Sequence, residues 1–285
     1  MSYDLPFEWG ARTYVMGIVN VTPDSFSGDG LLDGSGAGSG DDVAAAAAQA
    51  RAFEAAGADL IDVGGESTRP GHAPLDAPTE IARVVPVIRA IAAAVSIPIS
   101  IDTSKAAVAE AALAVGARVV NDVWAFSADP DLAGVVARAR VPVILMNNRR
   151  GKTYTDLVPD VIADLAARVR FAEAAGVARA RIIVDPGIGF DRADAPDLDD
   201  LELIDRLAEL KVLGLPILLG PSRKRFIGRI LADARGEASP QERLEGTAAA
   251  VAVGVARGAD IVRVHDVASI VRVARVADAI TRRRT

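Results

Sequence analysis

The residues able to do chemistry stand in short polar clusters, each closing an apolar run. In chain order they are Asn20 with Thr22, Pro23, Asp24 and Ser25, then Glu66, Ser67, Thr68 and Arg69, then Asp102. Asn121 and Asp122 follow, then Met146, Asn147 and Asn148, Asp185, the run Ser222, Arg223 and Lys224, and finally Arg263 and His265. Two chemistries are mixed here. Asp102, Asn121 and Asp185 supply acceptors, and an ionised carboxylate only accepts, so they suit a ligand with a donor-rich, guanidine-like edge. Arg69, Arg223, Lys224, Arg225, Arg263 and His265 form a cationic group. Guanidinium forks grip phosphate oxygens in pairs, and the Gly220-Pro221-Ser222 turn can add backbone N–H donors. The expected ligand is small, phosphorylated and rich in N–H groups.

Each residue also has a local reading. Asp102 precedes Thr103 and Ser104, where a helix cap alone would explain an Asp. Asp185 precedes Pro186-Gly187, a common turn context, and Asn20 and Asp24 could form Asx-turns. Arg69 could be a solvated loop residue, and His265 could cap the last helix. Taken together, these readings require every polar oddity to land on one face by accident.

Periodicity shows which elements must carry these residues. β-Branched runs at 14–20, 60–65, 97–102, 118–123, 141–146, 181–186, 215–220 and 260–265 read as strands. Segments such as 41–57 and 79–95 repeat their apolar residues near every 3.6 positions and read as helices. Strands apolar on both faces belong to a parallel sheet covered by helices. Eight such units predict one (β/α)8 barrel domain over residues 1–285. Gly57, Gly116, Gly176 and Gly258 each precede a strand, where helix-terminating glycines belong. The polar clusters therefore fall on the strand-to-helix face, the catalytic face of a barrel. The Gly-rich stretch 28–42 reads as a long mobile loop after the first strand.

Composition narrows the function. With 32 Lys and Arg against 38 Asp and Glu, a net charge of −6 and a pI near 5.1, no nucleic-acid footprint is expected. The absence of cysteine removes disulfides, thiolate nucleophiles and Cys-ligated metals. Two histidines, His72 and His265, cannot make a His-cluster site. No apolar stretch approaches the roughly 18 residues that span a bilayer. The start, MSYDLPFEWG, lacks a signal peptide's basic and apolar regions, so a cytoplasmic globular enzyme or binding protein is expected.

The strings MGIVNVTPDSFSGDG (16–30), DVGGESTRPG (62–71), SIDTSK (100–105), VVNDV (119–123), DPGIGF (185–190), SRKRFIG (222–228) and RVHDV (263–267) resemble, in order, the dihydropteroate synthase family. The resemblance covers nearly the whole chain. It implies a barrel that condenses a dihydropterin-CH₂-pyrophosphate with p-aminobenzoate, releasing pyrophosphate with help from Mg²⁺. It also implies site roles. Asp102, Asn121, Asp185 and Lys224 would hold the pterin, with Met146 packed on its face. Arg69, Arg263 and His265 would hold the pyrophosphate, as would Asn20 through the Mg²⁺. Thr68 would assist nearby, and Ser222, Pro70, Phe26 and Phe190 would border the aminobenzoate. Catalysis would rest chiefly on Asp185, Lys224, Arg69 and Asp102. The loops at 22–43 and 66–78 would close over the substrates. Sulfonamides, which mimic p-aminobenzoate, would compete.

Three positions depart from the family pattern. SFSGDG stands where SFSDGG is common, Asn147 where His often follows Met, and Asp191-Arg192 where Gly-Lys usually follows Gly-Phe. Other readings are a pterin-dependent methyltransferase, a pterin-binding paralogue without synthase activity, and an aldolase using Lys224 with its pKa lowered by Arg223 and Arg225. The family is usually dimeric, and residues 251–256 and 267–283 are apolar enough to pair subunits, although packing within the barrel would explain Gly254 equally well.

Overall fold

A computed structural model describes residues 4–21, 40–66, 75–149, 153–190 and 196–282. Its strands are β1 (Tyr14–Asn20), β2 (Leu60–Gly64), β3 (Ile99–Asp102), β4 (Val119–Asp122), β5 (Val143–Met146), β6 (Ile182–Asp185), β7 (Leu218–Leu219) and β8 (Ile261–Val264). All neighbouring pairs are parallel, in the order β6-β5-β4-β3-β2-β1-β8-β7. A parallel bridge between Val184 and Ile217 joins the two ends, so the sheet closes as a (β/α)8 barrel. Its helices are α1 (Gly40–Ala56), α2 (Ala77–Ala92), α3 (Ala106–Ala114), α4 (Asp131–Ala139), α5 (Leu157–Ala174), α6 (Pro196–Asp205), α7 (Arg225–Ile230), α8 (Leu244–Ala256) and α9 (Val267–Thr281). The short α7 is an addition to the expected repeat, placed between β7 and α8.

Alternation along each strand separates two kinds of core. Gly17 faces outward: a Cβ there would meet Phe53 of α1 at 2.5 Å and Val267 of α9 at 3.1 Å. Met16, Ile18 and Asn20 therefore face inward. The barrel bottom is filled by Tyr14, Met16, Leu60, Val119, Ile144, Ile183, Leu218 and Ile261. Phe7 stacks on Tyr14 at 4.0 Å between ring centres, and Trp9 meets both rings edge-on, so residues 4–13 plug the base. A larger apolar layer lies between strands and helices.

One step up each strand, the inward positions turn polar. The register pairs Asp62 with Ser100, Gly64 with Asp102, Asp102 with Asn121, and Met146 with Asp185. The carboxyls thus arrive by strict two-residue spacing on an otherwise apolar frame. Direction is fixed as expected, for Gly57, Gly116, Gly176 and Gly258 all adopt positive φ at helix ends. Among the described residues, no helix is long and apolar enough to cross a membrane.

Candidate active site

At the centre of the strand ends, Arg263 of β8 is clamped between two carboxylates. Its Nε donates to Asp62 at 2.6 Å and its Nη2 to Asp102 at 2.7 Å. The same Asp62 oxygen accepts from Nδ2 of Asn121 at 3.1 Å. Asp62 is fully buried, and among the described residues its second oxygen has no hydrogen-bond partner, nor has the Ser100 hydroxyl on the next strand. Burial pushes the Asp102 carboxyl up to about 7, opposed by Arg263 and reinforced by Asp62. Burial disfavours the charge on the Arg263 guanidinium, but Asp62 and Asp102 outweigh it and hold the pKa above the ordinary value. Asp102 does not cap a helix: the first N–H of α3 is accepted by Asp129, at 2.8 Å.

Asp185 ends β6 beside Met146, and both are buried. One of its oxygens accepts the Gly187 N–H at 2.7 Å, so the turn reading of this residue is correct. Gly187 has φ +79°, and a Cβ there would strike the Asn147 carbonyl. Only glycine fits. Two residues on, Gly189 (φ +73°) leaves room for the Lys224 stem, and the ammonium sits 4.4 Å from the Phe190 ring centre. Burial, then Arg263, lower the Lys224 ammonium to about 8, against the pull of Asp200, Asp185 and Asp102. Phe190, expected beside the aminobenzoate, is thus seated on Lys224.

The remaining cations divide. Ser222 is buried; its hydroxyl accepts the His265 backbone N–H at 3.1 Å and lies 3.0 Å from that ring's Nδ1. His265 therefore faces Ser222, and α9 has no side-chain cap bond. Arg223 and Arg225 correct the expectation of one cationic group. Arg223, at φ +58°, turns away to bind Asp266 through two bonds of 3.0 and 2.7 Å, and Arg225 pairs with Glu237 on the surface. Burial and then Arg263 lead the lowering of the Lys224 pKa, so the two arginines invoked by the aldolase reading are not its main source.

Two amide and carboxyl positions are also structural. Asp122 accepts the N–H groups of Trp124 (2.9 Å) and Phe126 (2.6 Å), fixing a turn in which Ala125 and Phe126 have positive φ. Asn147 donates to Asp164 at 3.1 Å and accepts from the Tyr154 hydroxyl at 2.7 Å. Asn20 closes β1, half-buried, and its amide makes no hydrogen bond among the described residues. Phe26, Thr68, Arg69, Pro70 and the Asp191-Arg192 departure lie outside the described residues, as do most of the two long loops.

Sequence reading missed Asp62, which joins Arg263 to Asn121. Its signal was present: counting by twos between Leu60 and Gly64 places this lone carboxylate inside the barrel. Asp200, which accepts the Gly189 N–H at 2.8 Å, was also missed; it enters from α6, where no local pattern marks it.

Fold and rim together define a pterin-binding barrel enzyme: the family described as pterin binding enzyme matches residues 16–265. The dihydropteroate synthase of Bacillus subtilis (strain 168) is 46% identical over 268 residues, covering 94% of this chain and 88% of that one. That of Mycobacterium leprae is 44% identical, covering 94% of each. A crystal structure of the Clostridium difficile enzyme in the presence of pteroic acid matches with a TM-score of 0.88 at 44% identity, covering 97% of this chain and all of that one. The Xanthomonas albilineans enzyme in complex with 7,8-dihydropteroate matches with a TM-score of 0.82 at 39% identity, covering 96% and 95%. This chain belongs to the dihydropteroate synthase family.

Proposed function

We infer that the whole chain works as one barrel domain and that its strand-end rim joins 7,8-dihydropterin-6-ylmethyl pyrophosphate to p-aminobenzoate, making 7,8-dihydropteroate and pyrophosphate. The observation that carries this reading is the inward set Asp62, Asp102, Asn121 and Asp185 surrounding Arg263 and Lys224. Three carboxyls against two cations leave acceptors over for a donor-rich ring, the edge that a pterin presents. Asp102, Asn121, Asp185 and Lys224 hold that ring, with Met146 against its face.

The chemistry follows from what the substrate needs. The carbon bearing pyrophosphate is attached to an electron-rich ring, so its C–O bond can break ahead of attack. The developing cation is opposed by Asp185, while Arg263, Arg69 and His265 take the charge of the departing pyrophosphate. With its hydroxyl accepting the backbone N–H, Ser222 has its own proton available to Nδ1 of His265. With that proton on the hydrogen bond to Nδ1, the ring would carry its own proton on Nε2, a donor suited to a phosphate oxygen. The aniline nitrogen attacks the cation and then loses a proton. No covalent enzyme nucleophile is required. Thr68, Pro70 and Phe26 belong to the same reading on the strength of their motifs.

Mg²⁺ is part of this proposal. Among the described residues, no group of three or more His, Asp or Glu could hold a metal. Asn20 offers a single amide oxygen at the rim, which fits an ion held mainly by substrate phosphates and water. When bound, Mg²⁺ neutralises charge on the leaving pyrophosphate. Turnover that is lost in EDTA and restored by Mg²⁺ is the expected result; undiminished turnover in EDTA would remove the metal. Sulfonamides should compete with p-aminobenzoate.

We also propose a cytoplasmic homodimer formed through α8 and α9. Gly254 itself is explained inside the barrel, since a Cβ there would collide with Leu219. Val253, Val276 and Ile280, at 44%, 63% and 63% exposure, instead line an apolar groove between the two helices.

A further inference from the structure

Among the described residues three carboxylates are wholly buried: Asp62, Glu80 and Asp122. Asp122 fixes its turn, and Glu80 of α2 accepts from the Lys105 ammonium at 2.6 Å. Of the three, only Asp62 bonds groups assigned to substrate, and the reaction above gives it no contact of its own with either one. A single Asp62 oxygen accepts from both Nε of Arg263, at 2.6 Å, and Nδ2 of Asn121, at 3.1 Å. Register places it one inward step below the strand ends. Ile18, Asp62 and Ser100 are level, whereas Asn20, Gly64, Asp102 and Asn121 form the next level up.

These two bonds decide what the other atoms of each donor can do. An oxygen that accepts from a guanidinium has nothing to donate, so Asn121 must turn Nδ2 towards Asp62 and Oδ1 away from it. Asn121 is itself buried, and its Oδ1 makes no hydrogen bond among the described residues. That oxygen is an acceptor left for a ligand N–H; a flipped amide would set one donor against another. Arg263 is fixed in the same way. Its Nε is on Asp62, and its Nη2 reaches past β1 and β2 to Asp102 of β3 at 2.7 Å. Of the two terminal nitrogens, Nη1 makes no hydrogen bond among the described residues. Burial strengthens both bonds to Asp62, since little water competes for the shared oxygen.

We propose that Asp62 is a positioning residue for both ends of the pterin pyrophosphate: it orients the Asn121 amide so that Oδ1 accepts from the ring, and it holds Arg263 so that Nη1 meets the pyrophosphate. This rests on the reading that Asn121 binds the ring and Arg263 the pyrophosphate. Fixing two side chains before substrate arrives removes conformational freedom that binding would otherwise have to remove. Because one oxygen serves both, the two ends of the site are set by the same group.

The test is calorimetric Kd for two ligands, a pterin lacking pyrophosphate and the pterin pyrophosphate. The variants are Asp62→Val, Asp62→Asn, Asn121→Ala, Arg263→Ala, and Asp62→Val combined with each of the last two. Valine suits a strand and replaces most of the carboxylate's bulk but accepts nothing. Asp62→Val should raise Kd for the free pterin about 10-fold and for the pterin pyrophosphate about 10-fold more, the ratios expected when bonds to a charged acceptor are lost. Asp62→Asn, which keeps an acceptor for both donors, should recover most of both losses. In the Asn121→Ala background Asp62→Val should add little to the free-pterin loss, and in the Arg263→Ala background its additional loss for the pterin pyrophosphate should vanish. A fault in folding alone would lower the active fraction and Tm and leave both Kd values of the folded remainder at wild type. If the losses multiply in the double variants, or if Asp62→Val leaves both Kd values unchanged, the positioning role is overturned. Should the valine variant fail to fold, Asp62→Asn decides alone: Kd values about 10-fold or more above wild type would assign the effect to charge and overturn the role. If Asn121→Ala leaves the free-pterin Kd unchanged, or Arg263→Ala leaves the ratio of the two Kd values unchanged, the assignment of those ligands falls first and takes the proposal with it.

Discussion

Asp185 carries two roles that one substitution can separate. Its oxygen closes the turn to Gly187, and its charge faces the reacting ring in the proposed reaction. Asn keeps the acceptor and removes the charge. Asp185→Asn should therefore leave Tm nearly unchanged while kcat falls about 10²–10³-fold, a loss comparable to removing a preorganised electrostatic partner. Circular-dichroism melting beside steady-state kinetics reads both, and a kcat above about a third of wild type would leave only the turn. The flanking titrations make a second prediction. Asp102, raised to about 7, must be ionised to accept from the pterin, and Lys224, lowered to about 8, must be protonated to donate. Pterin affinity should be greatest between those values, with Asp102→Asn flattening the acid limb and Lys224→Gln the alkaline limb. Stability moves differently. Because folding raises the Asp102 pKa, its contribution is present below about 4 and is lost as pH rises through about 7. Because folding lowers the Lys224 pKa, stability recovers above about 8. Equal pterin Kd values at pH 5.5, 7.5 and 9.5 would contradict the assigned protonation states.

At the scale of elements, the strands were legible because a parallel barrel strand is apolar on both faces over most of its length. Its polar residues therefore appear only where it ends. The same alternation that fills the base with Met16, Leu60 and Ile183 delivers Asp62 and Asp185 two positions later and Asn20 four positions later, in steps of two. Side-chain direction within the clusters was less legible. Arg223 stands between two rim residues in sequence, yet its left-handed backbone sends it to Asp266, a partner 43 positions away. Asp200 and Glu80 come from helices whose sequences resemble any solvated surface. Close backbone approaches are similarly hidden until the turn is built, and Gly187 shows what depends on them. Gly187→Ala would place a methyl on the Asn147 carbonyl at a φ that L-residues avoid. It should lower stability by about 1–3 kcal/mol or more and displace Asp185, so that kcat falls with Tm. A denaturant midpoint and kcat both equal to wild type would show that β5 and β6 yield there freely.

For the whole molecule, the barrel's two ends do different work. The base is sealed by Phe7, Trp9 and Tyr14, whereas the opposite end gathers the inward carboxyls Asp62, Asp102 and Asp185 with Arg263 and Lys224, so the proposed chemistry belongs to one face. The exposed groove of α8 and α9 lies on the outer wall, away from both. Val276→Asp should convert the proposed dimer to monomer by light scattering while leaving pterin affinity intact; an unchanged mass would move the interface elsewhere. The central claim is that this rim condenses the two substrates. The direct measurement is to incubate purified protein with labelled p-aminobenzoate, 7,8-dihydropterin-6-ylmethyl pyrophosphate and Mg²⁺, and to follow labelled dihydropteroate and released pyrophosphate together. Equal amounts of the two, formed over many turnovers and abolished when either substrate is omitted, are predicted. Pterin binding with no labelled product, or pyrophosphate released without dihydropteroate, would contradict it.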